Sequence, residues 1–469
     1  MSYTTIHLWL AFIGFLFIYV ALRMTKQKLL MLFVIATSLG FFFLNNRWLM
    51  QLLPATAIVS WGLTEWMSKQ EGTKRKRLLF LIVVLDLLPL FYFKYSHPFS
   101  ELLSQMLATN FSLTSIAMPI GISFYTFQAI SYSVDVYRRD FRLKVGFWEY
   151  LLYLSFFPLL LAGPITRAKT FFPQIKRENV LSERLLYMGL WLVIIGIIKK
   201  GIVADYIAQY NDWIFSMPDA YSGFECLMGL IGFTMQIYLD FSGYSDISIG
   251  IAAMLGIRLR ENFAFPYHSR NLTEFWHRWH ISLSTWFRDY LYIPLGGNRH
   301  GIRRTCCNLI VTMTAAGIWH GSTLMFLAWG MLHGIGIAVH KASQPFLCEI
   351  RDNWLTISVS RFITLCFIAF SWAVFRSPDF ETAQLLFSSI FTRMDLSYVE
   401  PFFATRTTWC ILLAVSILSC FIGKRLYLHA AVKFIYWPWI MKLITFLIVV
   451  QMVIELHISN VQPFLYFRF

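Results

Sequence analysis

The 469-residue chain is 57% hydrophobic and 18% aromatic but only 14% charged, where a soluble domain carries roughly 25% charged residues. A mean hydropathy of +0.58 excludes an ordinary water-soluble globule and indicates an all-α polytopic membrane protein. The net charge of +15 fits basic loops beside anionic membrane lipid and gives no reason to invoke nucleic acid.

Apolar stretches long enough to enter a bilayer begin at Ile6–Leu22. This stretch lacks a basic leader and a small-residue cleavage site, so it reads as a retained first span. Leu29–Leu44, Trp48–Met67, Leu78–Phe93 and Met118–Val136 follow. The basic clusters at 23–28, 74–77 and 138–142 are separated by paired crossings. The positive-inside rule then places those loops in the cytoplasm and the N-terminus outside.

The middle of the chain is less regular. Leu151–Leu161 is short and runs into Ala162-Gly163-Pro164-Ile165-Thr166-Arg167, where Gly-Pro breaks a helix. It reads as a re-entrant or interfacial piece. Leu186–Ile198 ends at Lys199-Lys200, and Gly223–Leu239 leads into a segment carrying Asp240 and Asp246. Interrupted helices and carboxylates at membrane depth need cover from protein or a water-filled cavity, so this half looks like the wall of an internal chamber. Asp240 and Asp246 fit a proton pathway or, as buried charges more often do, a structural pairing. Leu324–Val339, Phe362–Phe375, Thr408–Ile422 and Ile435–Ile454 complete the spans, which puts the C-terminus outside. The sequence carries no internal repeat of the kind that marks inverted-repeat transporters.

Between these spans, Phe275–Gly321 concentrates polar and titratable groups that are costly at membrane depth and hence functional candidates. His320 sits between Trp319 and Gly321. Gly317 and Gly321 permit close backbone approach, and a neutral imidazole there suits a general base. A core histidine bonded to a backbone carbonyl is the competing reading. His277 and His280, at i and i+3, can share a helix face. They serve either to orient a substrate or the catalytic histidine, or as metal ligands with His320 or His333. The His-Glu-x-x-His pattern of metalloproteases is absent, so no metal is expected. Arg278, Arg288, Arg299, Arg303 and Arg304 flank Pro294–Asn298. Such groups suit a phosphate-bearing donor, or simple anchoring at the cytoplasmic face. The seven cysteines (Cys226, Cys306, Cys307, Cys348, Cys366, Cys410 and Cys420) have no CxxC spacing and imply neither a disulfide framework nor a zinc site.

These residues carry a resemblance. The segments PIGISFYTFQAISYSVDVYRR (119–139), AGPITR (162–167), DFSGYSDISIGIAAMLGI (240–257), ENFAFPY (261–267), EFWHRWHISLSTWFRDYLYIPLGGNR (274–299) and GIWHG (317–321) resemble the membrane-bound O-acyltransferases, in particular their bacterial polysaccharide-modifying branch. The resemblance implies a single transmembrane domain over residues 1–469, built as a ring of transmembrane and re-entrant helices around a central funnel, in the bacterial cytoplasmic (inner) membrane. It implies His320 as the catalytic histidine and His280 as its support. Trp276, Arg278, Trp279, Arg288 and Trp319 become candidates for lining the channel or contacting the donor. His277 stands where the branch commonly has arginine, which makes it dispensable and weakens the metal reading further.

The implied donor substrate is acetyl-CoA, with no bound cofactor, and the implied partner is an extracytoplasmic SGNH-type transferase. The tail at 459–469 ends in FLYFRF, similar to a Phe-x-Tyr-x-x-Phe acyl-carrier motif matched by Phe464, Tyr466 and Phe469, which makes Tyr466 a candidate acyl acceptor. A phenol, with pKa about 10, forms an ester that keeps transfer potential. Two alternatives remain: direct acylation of a lipid or small alcohol, and a transporter using the histidines as a proton relay.

Overall fold

The computed structural model describes residues 6–23, 27–107, 118–160, 163–176, 182–347 and 352–456, and among them every regular element is helical. Two compact units can be distinguished, residues 1–189 with 248–260, and residues 190–247 with 261–469.

The first unit contains α1 (Ile6–Arg23), α2 (Gln27–Asn46), α3 (Leu52–Ser68), α4 (Gly72–Leu107), α5 (Ile122–Tyr137), α6 (Phe147–Ser155), α7 (Phe157–Leu160) and α8 (Ala168–Lys176). Its interior is aromatic and polar at once. Tyr132, Tyr150, Tyr153, Phe171 and Phe172 are fully buried or nearly so and pack ring on ring. Their hydroxyls need partners in such a place. Tyr153 donates to the Thr166 carbonyl (2.7 Å) and Tyr150 to Ser60 Oγ (3.0 Å), which in turn donates to Asp86 (3.1 Å). The 151–167 stretch is broken as expected. Phe156 leaves the helical conformation between α6 and α7, and the chain beyond the Gly163-Pro164 step is non-helical until α8.

The second unit contains most of α9 (Glu183–Ile197) and α11 (Gly223–Met254), both of which begin or end in the first, together with α10 (Asp205–Ser216), α12 (Leu272–Arg278), α13 (Ile281–Phe287), α14 (Gly301–His320), α15 (Leu324–Leu347), α16 (Trp354–Arg376), α17 (Phe380–Thr392), α18 (Val399–Thr405), α19 (Thr407–Cys420), α20 (Lys424–Ile435) and α21 (Trp439–Leu456). A π-helical turn, Ile198–Ala204, joins α9 to α10. The apolar run ending at Leu239 does not stop where the carboxylates begin: α11 continues unbroken through Asp240 and Asp246. The reason is charge pairing. Lys200 meets Asp240 and Asp205 (2.7 Å to Asp205), and Lys199 meets Asp246 at 2.6 Å. Lys200 is 1% exposed, and a lone buried ammonium would be very unfavourable there. The aspartates therefore take the structural pairing, with lysines of the π turn as partners.

Among the described residues, seven helical stretches are long and apolar enough to cross a membrane, or eight if the pair Leu396–Thr405 and Thr407–Cys420, bent by 97°, is one span. Large apolar side chains are exposed along them, as Phe80, Phe346 and Phe362 are. In water that would be a liability, but it is the surface that lipid requires.

Candidate active site

The segment between α12 and α13 is a helix broken on purpose. Asn271 caps α12 by accepting from the Glu274 amide (2.8 Å), and the helix ends at Arg278. Trp279 is extended and His280 is left-handed (φ 42°, ψ 54°) before α13 begins. A non-glycine residue in that region costs about 1 kcal/mol, and it persists only where its surroundings fix it. Here the loop 262–264 does so: the Ala264 amide donates to the Arg278 carbonyl and the Ile281 amide to the Asn262 carbonyl, both at 2.9 Å. The break separates His277 from His280. His277 is exposed while His280 is 1% exposed, so the shared helix face expected from their spacing does not form.

His280 lies among neutral groups. Its ring is edge-on to Phe241 (centroids 4.6 Å apart), near Phe263 (6.5 Å) and near Trp319 (6.5 Å). Its Nδ1 is 3.2 Å from Asn262 Oδ1 and 3.5 Å from Ser282 Oγ. Its Nε2 is buried and has no hydrogen-bond partner among the described residues. Burial alone pushes this imidazole well below its ordinary pKa, so the ring is neutral.

His320 is the last residue of α14. It is 5% exposed and walled by Trp319 (4.9 Å), Trp329 (5.1 Å) and Phe375 (5.5 Å). The C-terminal carbonyls of a helix favour a nearby cation by about 0.3–1 kcal/mol, so this end of α14 suits a ring that takes up a proton. The position depends on glycine. A methyl on Gly317 would lie 2.3 Å from the Phe326 carbonyl oxygen, and one on Gly330 would lie 2.5 Å from that of Met313. α14 and α15 therefore run in backbone contact, as small residues allow in membrane helices. Gly321 is equally constrained, against the ring of Phe326. The sequence expectation of close backbone approach holds at Gly317, while at Gly321 the close neighbour is a side-chain ring.

Trp319 neighbours both histidines, so His280, Trp319 and His320 form one cluster. Trp276 is turned elsewhere: its indole N–H donates to His333 Nδ1 (3.3 Å), while His333 Nε2 meets Ser371 Oγ (3.0 Å). Both nitrogens of His333 are thus engaged by neutral partners, which removes it from the metal reading. Among the described residues no three His, Cys, Asp or Glu side chains gather as a metal shell would need. Trp279 stacks on Phe275 (5.4 Å) and lies tilted against Trp372 (4.9 Å). Arg278 pairs with Glu274 (2.6 Å) and, with His268 and Lys424, lines a cavity of about 370 Å³. Arg288 is exposed and bonded to Asp289 (2.8 Å). Tyr466 and the rest of the 459–469 tail lie outside the described residues. Asn262 was not singled out from sequence. It lies 18 residues from His280, in a loop with no periodicity to read, and its one sequence signal is its place in the ENFAFPY segment.

A profile described as that of the membrane-bound O-acyltransferase family matches residues 29–377, which include the histidine cluster. The chain is similar to the probable alginate O-acetylase AlgI of Pseudomonas putida, with 34% identity over 416 residues, 84% of each chain. It is 38% identical over 330 residues to the protein of the same name from Pseudomonas syringae, covering 69% of this chain and 62% of the relative, less than two thirds of that relative's length. Similarity extends to the peptidoglycan O-acetyltransferase of Helicobacter pylori, 32% identical over 399 residues, 79% of this chain and 76% of the relative.

Proposed function

Because this multi-pass membrane chain belongs to the membrane-bound O-acyltransferase family, we propose that it is an O-acetyltransferase of the bacterial inner membrane. In this reading it moves acetyl groups from cytoplasmic acetyl-CoA to an extracytoplasmic acceptor, for O-acetylation of a cell-surface polysaccharide. The observation that carries the reading is the pair of buried histidines gathered around Trp319, one at a helix C-terminus and one at a splinted helix break. The relatives' names, alginate O-acetylase and peptidoglycan O-acetyltransferase, support a glycan as the final acceptor.

The chemistry follows from the residues. His320 takes the proton of an acceptor hydroxyl as its oxygen attacks the thioester carbonyl. The tetrahedral intermediate collapses, the C–S bond breaks, and the CoA thiolate recovers the proton from the His320 imidazolium. The products are an acetyl ester and free CoA. Aromatic walls exclude water, which would otherwise hydrolyse the thioester. The acceptor is Tyr466 or a serine of an SGNH-type partner that completes the transfer outside. A transporter reading is less well supported, because both ring nitrogens of His333 are already engaged, by Trp276 and Ser371. Reconstituted protein given labelled acetyl-CoA tests the proposal: CoA release with formation of an acetyl ester supports it, and substrate flux without CoA release overturns it.

A further inference from the structure

Asn262 grips three consecutive residues of the helix break. Its carbonyl accepts from the Ile281 amide (2.9 Å), its side-chain oxygen accepts from the Ser282 amide (3.1 Å) and faces His280 Nδ1 (3.2 Å), and its side-chain nitrogen meets Ser245 Oγ on α11 (3.2 Å). One of these contacts fixes a proton. A backbone amide only donates, so the Asn262 atom that faces the Ser282 amide is the oxygen. That oxygen only accepts, so the hydrogen between it and His280 belongs to Nδ1. In a neutral imidazole the other nitrogen then carries a lone pair. This is His280 Nε2, buried and unpartnered among the described residues. His333 is set the opposite way, since the Trp276 indole N–H requires its Nδ1 to be the acceptor.

Resting on the acyl-transfer reading, we propose that Asn262 is a positioning residue that locks His280 in the Nδ1–H tautomer, so that Nε2 enters the reaction as a hydrogen-bond acceptor. His280 then does not donate to the developing oxyanion. It accepts a hydrogen bond from the acceptor hydroxyl or from protonated His320, and the proton itself resides on His320 until the thiolate leaves. A wrong tautomer would point an N–H where a lone pair is needed, which is how a well-placed imidazole loses its use without moving. Among the described residues the groups that face His280 are Phe241, Ser282, Asn262, Phe263 and Trp319, all neutral. None of the ring's contacts among the described residues is with a charged group, so Asn262 controls it.

The test combines spectroscopy with two variants. Protein labelled with ring-15N histidine, compared with His280→Gln, should place the His280 Nε2 resonance in the unprotonated range. A protonated Nε2 overturns the proposal. Asn262→Ala should lower kcat about 100-fold while KM changes less than threefold. Asn262→Asp keeps every acceptor, and Ser245 can reverse its hydroxyl, so activity should recover at high pH. Its carboxylate favours the imidazolium, so the acidic limb of kcat/KM should move to higher pH. If both variants instead lose activity in parallel at every pH with an unmoved limb, Asn262 is only a structural splint and the proposal falls. The nitrogen spectrum is independent of turnover: a wild-type protein that releases no CoA defeats the transfer reading, while the tautomer is still decided by the spectrum.

Discussion

Gly317→Ala is a test of position alone, because it adds one methyl three residues before His320 and removes no polar group. The added carbon would sit 2.3 Å from the Phe326 carbonyl oxygen and 3.0 Å from Gly330 Cα. A carbon–oxygen contact is comfortable at about 3.3 Å, so the last turn of α14 must retreat from α15 by about 1 Å. Overpacking of this kind costs about 1–3 kcal/mol, which a protein with a large helical core survives. Catalysis is less tolerant: a 1 Å displacement of a reacting group costs about 100-fold in rate. The assay is release of CoA from acetyl-CoA by protein in nanodiscs, together with thermal unfolding. Gly62→Ala is the control, since a methyl there meets nothing within 4 Å, and it should leave activity unchanged and raise stability by about 0.4–1 kcal/mol. A Gly317→Ala enzyme with full activity would refute the claim that the α14–α15 contact sets the place of His320.

Three further outcomes follow from the same structure. Lys200→Met leaves Asp240 and Asp205 facing one another without their cation, and it should destabilise by about 3–5 kcal/mol, read as a lower unfolding temperature in detergent; adding Asp240→Leu should restore part of the loss. His333→Gln can still accept from the Trp276 indole and donate to Ser371, so transfer should stay within about threefold of wild type, and an abolished activity in a folded His333→Gln protein would move that residue into the reaction. Burial lowers the His280 pKa in the folded protein, so below the unfolded value of about 6.5 the unfolded chain binds a proton that the folded chain refuses. Stability from this group is therefore present above about pH 6.5 and lost as pH falls, and His280→Gln should flatten that part of the unfolding temperature against pH.

The sequence was most informative where chemistry is local. Spans such as Gly223–Leu239 and Leu324–Val339 announce themselves by composition, and the Gly163-Pro164 break is written in two residues. Gly317 likewise betrays a close helix contact before any partner is known. What sequence spacing misjudged was the relation of His277 to His280, because a left-handed residue at the second position resets the helical phase and no propensity signals it. The persistence of α11 through Asp240 and Asp246 was hidden for a related reason: the neutralising lysines stand 40 and 47 residues away in a π turn. Asn262 belongs with these. Its role comes from three hydrogen bonds to a distant break, and an asparagine in a loop has many duller uses.

If His320 activates a hydroxyl against acetyl-CoA, its removal must stop both CoA release and ester formation. The most direct measurement incubates purified wild type, His320→Ala and Tyr466→Phe with labelled acetyl-CoA, following CoA release and label on protein. Wild type should release CoA and His320→Ala should lose at least about 100-fold, with unfolding temperatures alike. Label that disappears in Tyr466→Phe as well makes that tyrosine the acceptor, and label that persists there moves the acceptor elsewhere. A His320→Ala protein that releases CoA and forms the acetyl ester at the wild-type rate would remove His320 from the chemistry.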